Sequence, residues 1–534
     1  MVRLARLGVL LLLLALNVLA MHAGPARADV VEDAFNALAS QNFDDIRRGV
    51  DLLATSGHPQ ASTFIAAIQA GQFLVRPDGA MRLRQADNKI IDPRTGQPAE
   101  LGSGTRPVRL NNALRRAIEA ALGALRLFAP DAPTRRAAAE AVFVSRDPAA
   151  LPALAQALAK ETDTGVLRAL REAQAAALLS LPDSREPDRI AAIAVLRARG
   201  DLSAQSMLGS LRGQPPAVAE AAAAALKAIA FSQLLWGQAQ AVYYGLSLGS
   251  VLLLAAAGLA ITFGVMGVIN MAHGEMVMIG AYVTFVVQDV IRASAPGLFG
   301  ASLLIAVPLA FAITGLIGIA IERGLIRFLY GRPLETLLAT WGLSLALQQA
   351  VRSIFGPTNR EVGTPQWMSG AAEVGGLVIT YNRLAIIVFA LGVLFALMAA
   401  LRYTALGLRM RAVTQNRQMA GAMGIHTPRI DALTFGLGSG VAGIAGVALS
   451  QIDNVSPNLG QGYIIDSFMV VVFGGVGNLW GTALAALTLG IVNKFLEPVA
   501  GAVLGKILVL ILLILFIQRR PRGLFPLKGR AVEA

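Results

Sequence analysis

The chain has 534 residues, with 46 Lys+Arg against 33 Asp+Glu and a net charge of +13. Only 15% of its residues are charged and 55% are hydrophobic, where an ordinary soluble domain has about 25% charged residues. That excludes a disordered or highly solvated protein. There is no cysteine, which removes disulfides, thiolate metal sites and cysteine nucleophiles. Four histidines leave little material for an imidazole metal site, so neither metal nor cofactor is expected.

Met1–Ala28 reads as a secretory signal. Arg3 and Arg6 form a positive n-region, Leu7–Ala20 an apolar run, and Ala26-Arg27-Ala28 a small-x-small cleavage site. The chain after Asp29 is therefore expected outside the cytoplasm. Residues 29–240 lack a long apolar run and read as an exported, mostly helical domain. Within it, Phe73-Leu74-Val75, Pro77-Asp78-Gly79 and Met81–Arg84 predict a small β-hairpin. Ala/Leu-rich helices follow, with a weak repeat: Arg136–Phe143 resembles Arg189–Leu196, and each precedes a turn and a second helix. Helix pairs that stack on their copies make a HEAT-like module, either a docking surface or a scaffold.

From Val242 the apolar runs recur. Spans are predicted at about 242–268, 276–291, 299–320, 336–354, 384–401, 431–451 and 501–517, each near the ~20 residues that cross a bilayer. With the N-terminal domain outside, inside loops carry Arg323, Arg327, Arg332, Arg402, Arg409, Arg411, Arg417 and Arg429; the outside loops carry only Arg292, Arg352, Arg360 and Arg383. The positive-inside rule supports that orientation. The charges flank spans rather than interleave with aromatics, so nucleic-acid binding is not expected. A single crossing over 464–497 would leave Arg519, Arg520, Arg522, Lys528 and Arg530 outside. The stretch is instead read as a two-helix hairpin broken at Gly474, Gly475, Gly477 and Asn478, with 526–534 as a cytoplasmic tail. The fold class is all-α: a polytopic membrane domain over 241–525 behind an exported helical domain.

Apparent catalytic patterns fail on context. Gly245-Leu-Ser247-Leu-Gly249 opens a membrane helix rather than following a strand. Gly501 to Lys506 is one residue short of a phosphate loop and lacks its Ser/Thr. Small residues at four-spacing, such as Gly436 and Gly440, suit close helix packing. The informative segment is Asn270-Met271-Ala272-His273-Gly274-Glu275, which lies between two spans with almost no loop. Polar and ionisable groups there are costly. They are either a hydrogen-bonded knot that fixes the turn or part of a substrate path or its cytoplasmic gate.

Asn270–Glu275 resembles the Asn-Phe-Ala-His-Gly-Glu segment of branched-chain amino-acid-type ABC permeases, with Met271 replacing Phe. Glu322-Arg323, Arg332–Gly342 and Phe473–Gly481 also resemble that family, and their wording is closest to its urea-transporting branch. The exported extension also resembles the urea branch. The resemblance covers about 240–525. It implies an inner-membrane permease subunit that is not itself an enzyme, pairing with a second related permease, two cytoplasmic ATPase subunits and a periplasmic solute-binding protein. The segment Leu406–Gly424 resembles the coupling helix of such permeases, with Arg411, Gln415, Asn416, Arg417, Ala420, Gly421 and Gly424 as candidates. The implied solute is urea or a similar small amide; the alternatives are a branched-chain amino-acid permease and an ATP-independent channel or proton-coupled transporter using Glu275 or Asp289.

Overall fold

The computed structural model describes residues 26–525 apart from 41, 57, 86–87, 182 and 212–214. The expected signal peptide lies outside the described residues up to residue 25, and the expected tail 526–534 lies outside them too. Ala26-Arg27-Ala28 opens the first helix. The chain divides into two compact units, Met1–Ser232 and Gln233–Ala534.

In the first unit, helices α1 (Ala26–Ala39), α2 (Phe43–Thr55), α3 (Ala61–Gln69) and α4 (Asn112–Arg126) share one core with a small antiparallel sheet. Strands β1 (Phe73–Val75) and β2 (Met81–Arg84) pair as the expected hairpin, with Phe73 opposite Leu83. The sheet is larger than expected: β3 (Ile90–Ile91) and β4 (Arg106–Pro107) complete the order β3-β2-β1-β4. Two-residue strands leave no alternation to read, and the turn residues around them argue for a loop. Phe35, Phe64 and Phe73 cluster at the centre, with ring centroids 5.6 and 6.2 Å apart.

Helices α5 (Ala132–Ser145), α6 (Leu151–Lys160), α7 (Thr164–Leu179), α8 (Glu186–Arg199) and α9 (Leu202–Gly209) follow around a second core. The repeated segments fall in α5 and α8, which both end on a left-handed residue, Arg146 (φ 56°) and Gly200 (φ 70°). Asp131, Asp163 and Asp201 cap α5, α7 and α9 by accepting from backbone N–H groups at 2.7–2.9 Å, each worth about 1 kcal/mol. Arg199 joins the copies: it donates to Glu140 at 2.6 Å and Asp201 at 2.7 Å, also reaches Glu172, and lies 3.9 Å over the Phe143 ring.

Helix α10 (Pro216–Met266) has 51 residues. Its early turns place Val218, Ala222, Ala225 and Ile229 in the second core of the first unit, and Val251 to Ile261 pack in the other unit. Then come α11 (His273–Ser294), α12 (Ser302–Gly324), α13 (Pro333–Phe355), α14 (Tyr381–Tyr403), α15 (Ala405–Gln415), α16 (Arg417–Ala422), α17 (Thr427–Leu449), α18 (Leu459–Gly474) and α19 (Leu479–Arg519). Six helical stretches among the described residues are long and apolar enough to cross a membrane. At 23 residues α13 has the length, about 35 Å at 1.5 Å per residue. It falls outside the six because a row of buried polar side chains lowers its hydropathy.

Glycine holds the bundle together by letting backbones touch. Cβ atoms added at Gly280 or Gly446 would run into the backbones of Gly443 and Val277 respectively, so α11 and α17 meet without side chains between them. Gly245 and Gly249 pack against α19 in the same way, which accounts for the small-residue pattern that imitated a nucleophile turn. A short hairpin, β5 (Ala371–Val374) with β6 (Leu377–Thr380), precedes α14 and was not expected. The hairpin after α17 begins at Leu459 rather than 464. The last expected span, 501–517, is set off from the earlier turns of α19 by a break at Gly501 (φ 76°, ψ 164°), just past Pro498.

Candidate functional site

Helix α10 ends at Met266, and Gly267 turns the chain with φ 68°. Residues 267–272 then run back along α10 without helical structure. His273 Nε2 lies 2.9 Å from the carbonyl oxygen of Ala255, eleven residues before the end of α10, or about 16 Å along its axis. Helix α11 therefore starts in the interior of the bundle. Asn270, His273 and Glu275 are 1%, 0% and 1% exposed, so the segment is enclosed by the neighbouring helices.

Each group in this segment is held by named partners. Asn270 Oδ1 accepts from the backbone N–H of Ala272 at 3.0 Å, closing the turn into α11. The backbone N–H of Met271 donates to Thr340 Oγ1 at 3.1 Å. A carbonyl oxygen can only accept, so the proton on His273 sits on Nε2 and Nδ1 is an acceptor. Glu275 Oε1 accepts from Ser344 Oγ at 2.8 Å and Gln348 Nε2 at 2.7 Å. Glu275 Oε2 and His273 Nδ1 have no hydrogen-bond partner among the described residues. Both are acceptors, so the cluster offers sites for N–H groups.

Helix α13 supplies the other half. Thr336, Thr340, Ser344 and Gln348 recur every fourth residue and are all buried, while Leu334, Leu338, Trp341 and Leu345 on the same helix are exposed. Sequence reasoning quoted Thr336 and Thr340 only as family wording and missed Ser344 and Gln348. The signal was present as a polar stripe of period four in an apolar span. Asp289, the other acid considered for proton coupling, is exposed near the far end of α11.

The coupling candidates form a separate group in which two helices meet at a corner. Asn416 turns the chain between α15 and α16, and its Oδ1 accepts from the Met419 N–H at 2.9 Å. Arg417 is not a free surface cation. It makes a bidentate ion pair with the buried Asp431 and lies 4.7 Å over the Tyr330 ring. Burial, the largest single influence, opposes its charge, but the Asp431 hydrogen bonds and negative charge together with Tyr330 hold its pKa above the ordinary value. Burial, with Asp431 and Glu322 adding to it, also pushes the Tyr330 phenol up; its hydroxyl donates to Glu322 Oε1 at 3.4 Å. Ala420 is buried, whereas a Cβ at Gly421 would meet nothing within 4 Å, and Met419 and Met423 are 59% and 77% exposed. Gly424 closes the segment with φ 85°. Arg411 and Gln415 face a cavity instead.

The hairpin break is built against the end of the chain. Asn478 caps α19, accepting from the N–H groups of Trp480 and Gly481 at 3.1 Å. Gly475 (φ 104°) approaches the Phe525 carbonyl so closely that a Cβ would lie 2.6 Å from it. The N–H of Leu524 donates to the Phe473 carbonyl at 2.9 Å, and that of Phe525 to the Gly474 carbonyl at 3.1 Å. Gly477 (φ 81°) touches Gly264 of α10. Irregular backbone here is packed against other parts of the chain. No group of three or more metal-ligating side chains occurs among the described residues.

Residues 241–517 match the family described as the permease component of the branched-chain amino acid transport system. The chain is 32% identical over 292 residues to the high-affinity branched-chain amino acid transport system permease protein BraD of Pseudomonas aeruginosa, covering 53% of this chain and 94% of that protein. It is 32% identical over 294 residues to the corresponding LivH of Escherichia coli, again with 53% and 94% coverage. A probable branched-chain amino acid transport permease LivH from Methanocaldococcus jannaschii is 24% identical over 292 residues, covering 52% of this chain and 88% of that protein. No solved structure matches.

Proposed function

The chain belongs to the permease-component family of branched-chain amino acid transport systems, and from that premise we propose that it is the inner-membrane permease subunit of an ABC importer. It lines a solute path, while separate ATPase subunits hydrolyse ATP. What carries this reading is a family match spanning the apolar helices together with a buried polar cluster whose spare acceptors lie between α11 and α13. The proposed assembly includes a second related permease, two cytoplasmic ATPases and a periplasmic solute-binding protein. The proposed topology puts the N-terminal helical domain in the periplasm and the C-terminus in the cytoplasm. The exposed Met419, Gly421 and Met423 on the α16 corner are the proposed ATPase contact.

For the solute we propose urea or a similar small amide. The wording of the family motifs and the N-terminal extension support it: the extension lies outside the residues matched to the family. The second reading is a branched-chain amino acid, and the names of the relatives back it better than they back urea. The Asn270–Glu275 cluster resembles the family at large, so it supports a path for N–H-bearing solutes without choosing between the two. Uptake of labelled urea, acetamide and leucine by a deletion strain separates them. Rescue of urea uptake by the intact gene is expected; rescue of leucine uptake alone overturns the urea reading and leaves the permease reading standing.

A further inference from the structure

A cavity of about 750 Å³ opens beside the end of α14, between α10, α15 and the start of α19. Its walls are mainly apolar and include Val265, Met398 and Met410, with Trp480 packed edge-on to Phe395 at 6.2 Å. Phe395 and Trp480 are also 54% and 61% exposed on the outer face of the bundle. At the end of α14 the lining changes character: Arg402 and Arg411 both face the cavity. Arg402 lies 5.6 Å over the ring of the exposed Tyr403, and Arg411 donates to the carbonyl of Leu401. Neither makes an ion pair among the described residues, and no carboxylate occurs among the described lining residues.

The spacing matters as much as the composition. Phe395 and Arg402 are seven residues apart on one helix, about 10 Å along its axis. Helix α14 is one of the stretches apolar enough to cross a membrane, and its end carries the Arg and Tyr that anchor helices at the headgroup level. The apolar part of the cavity therefore lies at hydrocarbon depth and the two guanidinium groups lie at headgroup depth. Guanidinium groups bind phosphate oxygens in a fork, and no acid beside them would receive an ammonium group.

We propose that this cavity binds an anionic phospholipid, with its phosphate between Arg402 and Arg411 and an acyl chain along Met398 and Trp480. This assignment is independent of the transported solute. It also gives Arg411 and Gln415 a place other than the ATPase contact, which then rests on the α16 corner alone. Lipid-dependent activity would follow, because the site bridges α10, α14, α15 and the hairpin break.

Native mass spectrometry of the full chain in mild detergent tests it, with phosphatidylglycerol, phosphatidylethanolamine or inorganic phosphate added. The wild type is expected to retain phosphatidylglycerol in preference to phosphatidylethanolamine, and to retain no inorganic phosphate. Arg402→Gln with Arg411→Gln should weaken phosphatidylglycerol binding about thirtyfold, the combined effect of removing two cations near a lipid surface. The paired Lys variants should keep most of it. Equal occupancy in the Gln variant and the wild type, or equal retention of the two lipids, overturns the proposal. Displacement of the lipid by inorganic phosphate makes this a free-anion site instead, which also overturns it. If the Gln variant does not accumulate, a photoactivatable phosphatidylglycerol on the wild type decides: crosslinks within residues 395–415 support the site, and crosslinks only elsewhere refute it.

Discussion

At Glu275 a carboxylate sits 1% exposed, with two neutral donors on one oxygen and none on the other. Hydrogen bonds to a charged group are worth about 1.5–3 kcal/mol, which is the scale on which a buried acceptor can select a solute carrying N–H groups. Glu275→Gln keeps the shape and removes the charge. It should lower uptake by about ten- to a hundredfold while the protein still accumulates in the membrane, as read by labelled-solute uptake beside immunoblots. Unchanged uptake would reduce the cluster to a packing knot. The segment was legible in the sequence because an amide, an imidazole and a carboxylate stand in six residues between two apolar runs. Its depth was not, because a chain that doubles back along its own preceding helix leaves no mark in a hydropathy profile. The partners Ser344 and Gln348 lie 69 and 73 residues from Glu275, and only their spacing hinted at a shared face.

Among the elements, the α16 corner and the first-unit helix pairs make different demands on their residues. The sequence predicts a short helix with a glycine stop over Leu406–Gly424, and the chain forms two helices about Asn416 that end at Gly424. The pairing of Arg417 with Asp431, fourteen residues away, is tertiary information that the sequence does not display. Gly421 is open on the outer side of α16, so Gly421→Trp fits the fold. It should leave membrane insertion intact and uncouple ATP hydrolysis from uptake in the assembled transporter; normal coupling would remove α16 as the ATPase contact. In the first unit, Arg135 donates a two-pronged hydrogen bond to Glu161 at 2.6 and 2.9 Å. That bond, with the backbone N–H of Asp163, holds the Glu161 carboxyl down to about 2. The ordinary value is about 4.3, so the folded pKa lies below the unfolded one. The stabilisation is complete above about pH 4.3 and is lost as the pH falls through about 2. The protection of α6 and α7 amides in the full chain, measured as hydrogen exchange relative to the intrinsic rate at each pH, should therefore fall on acidification across that window. The Glu161→Gln variant should show a flatter pH response there, and identical profiles would contradict the assignment.

Over the whole molecule, the all-α class, the N-terminal helical unit and the helices of the membrane bundle follow from composition and periodicity alone. Gly475, Gly477 and Gly501 bend the chain at places where hydropathy stays high, so one apolar stretch contains several elements. Helix α13 shows the reverse, a long helix hidden by its polar stripe. Close glycine contacts bring α10, α11, α17 and α19 together at backbone distance, a rigid arrangement that suits movement of packed helices driven from outside the bundle. The measurement that tests this central claim most directly is solute uptake with ATP and the proton gradient varied independently, in cells lacking ATP synthase. Uptake dependent on this chain should stop when ATP is depleted and persist when a protonophore collapses the gradient with ATP maintained. Uptake that survives ATP depletion, or that this chain supports alone in liposomes without any ATPase, would contradict the account.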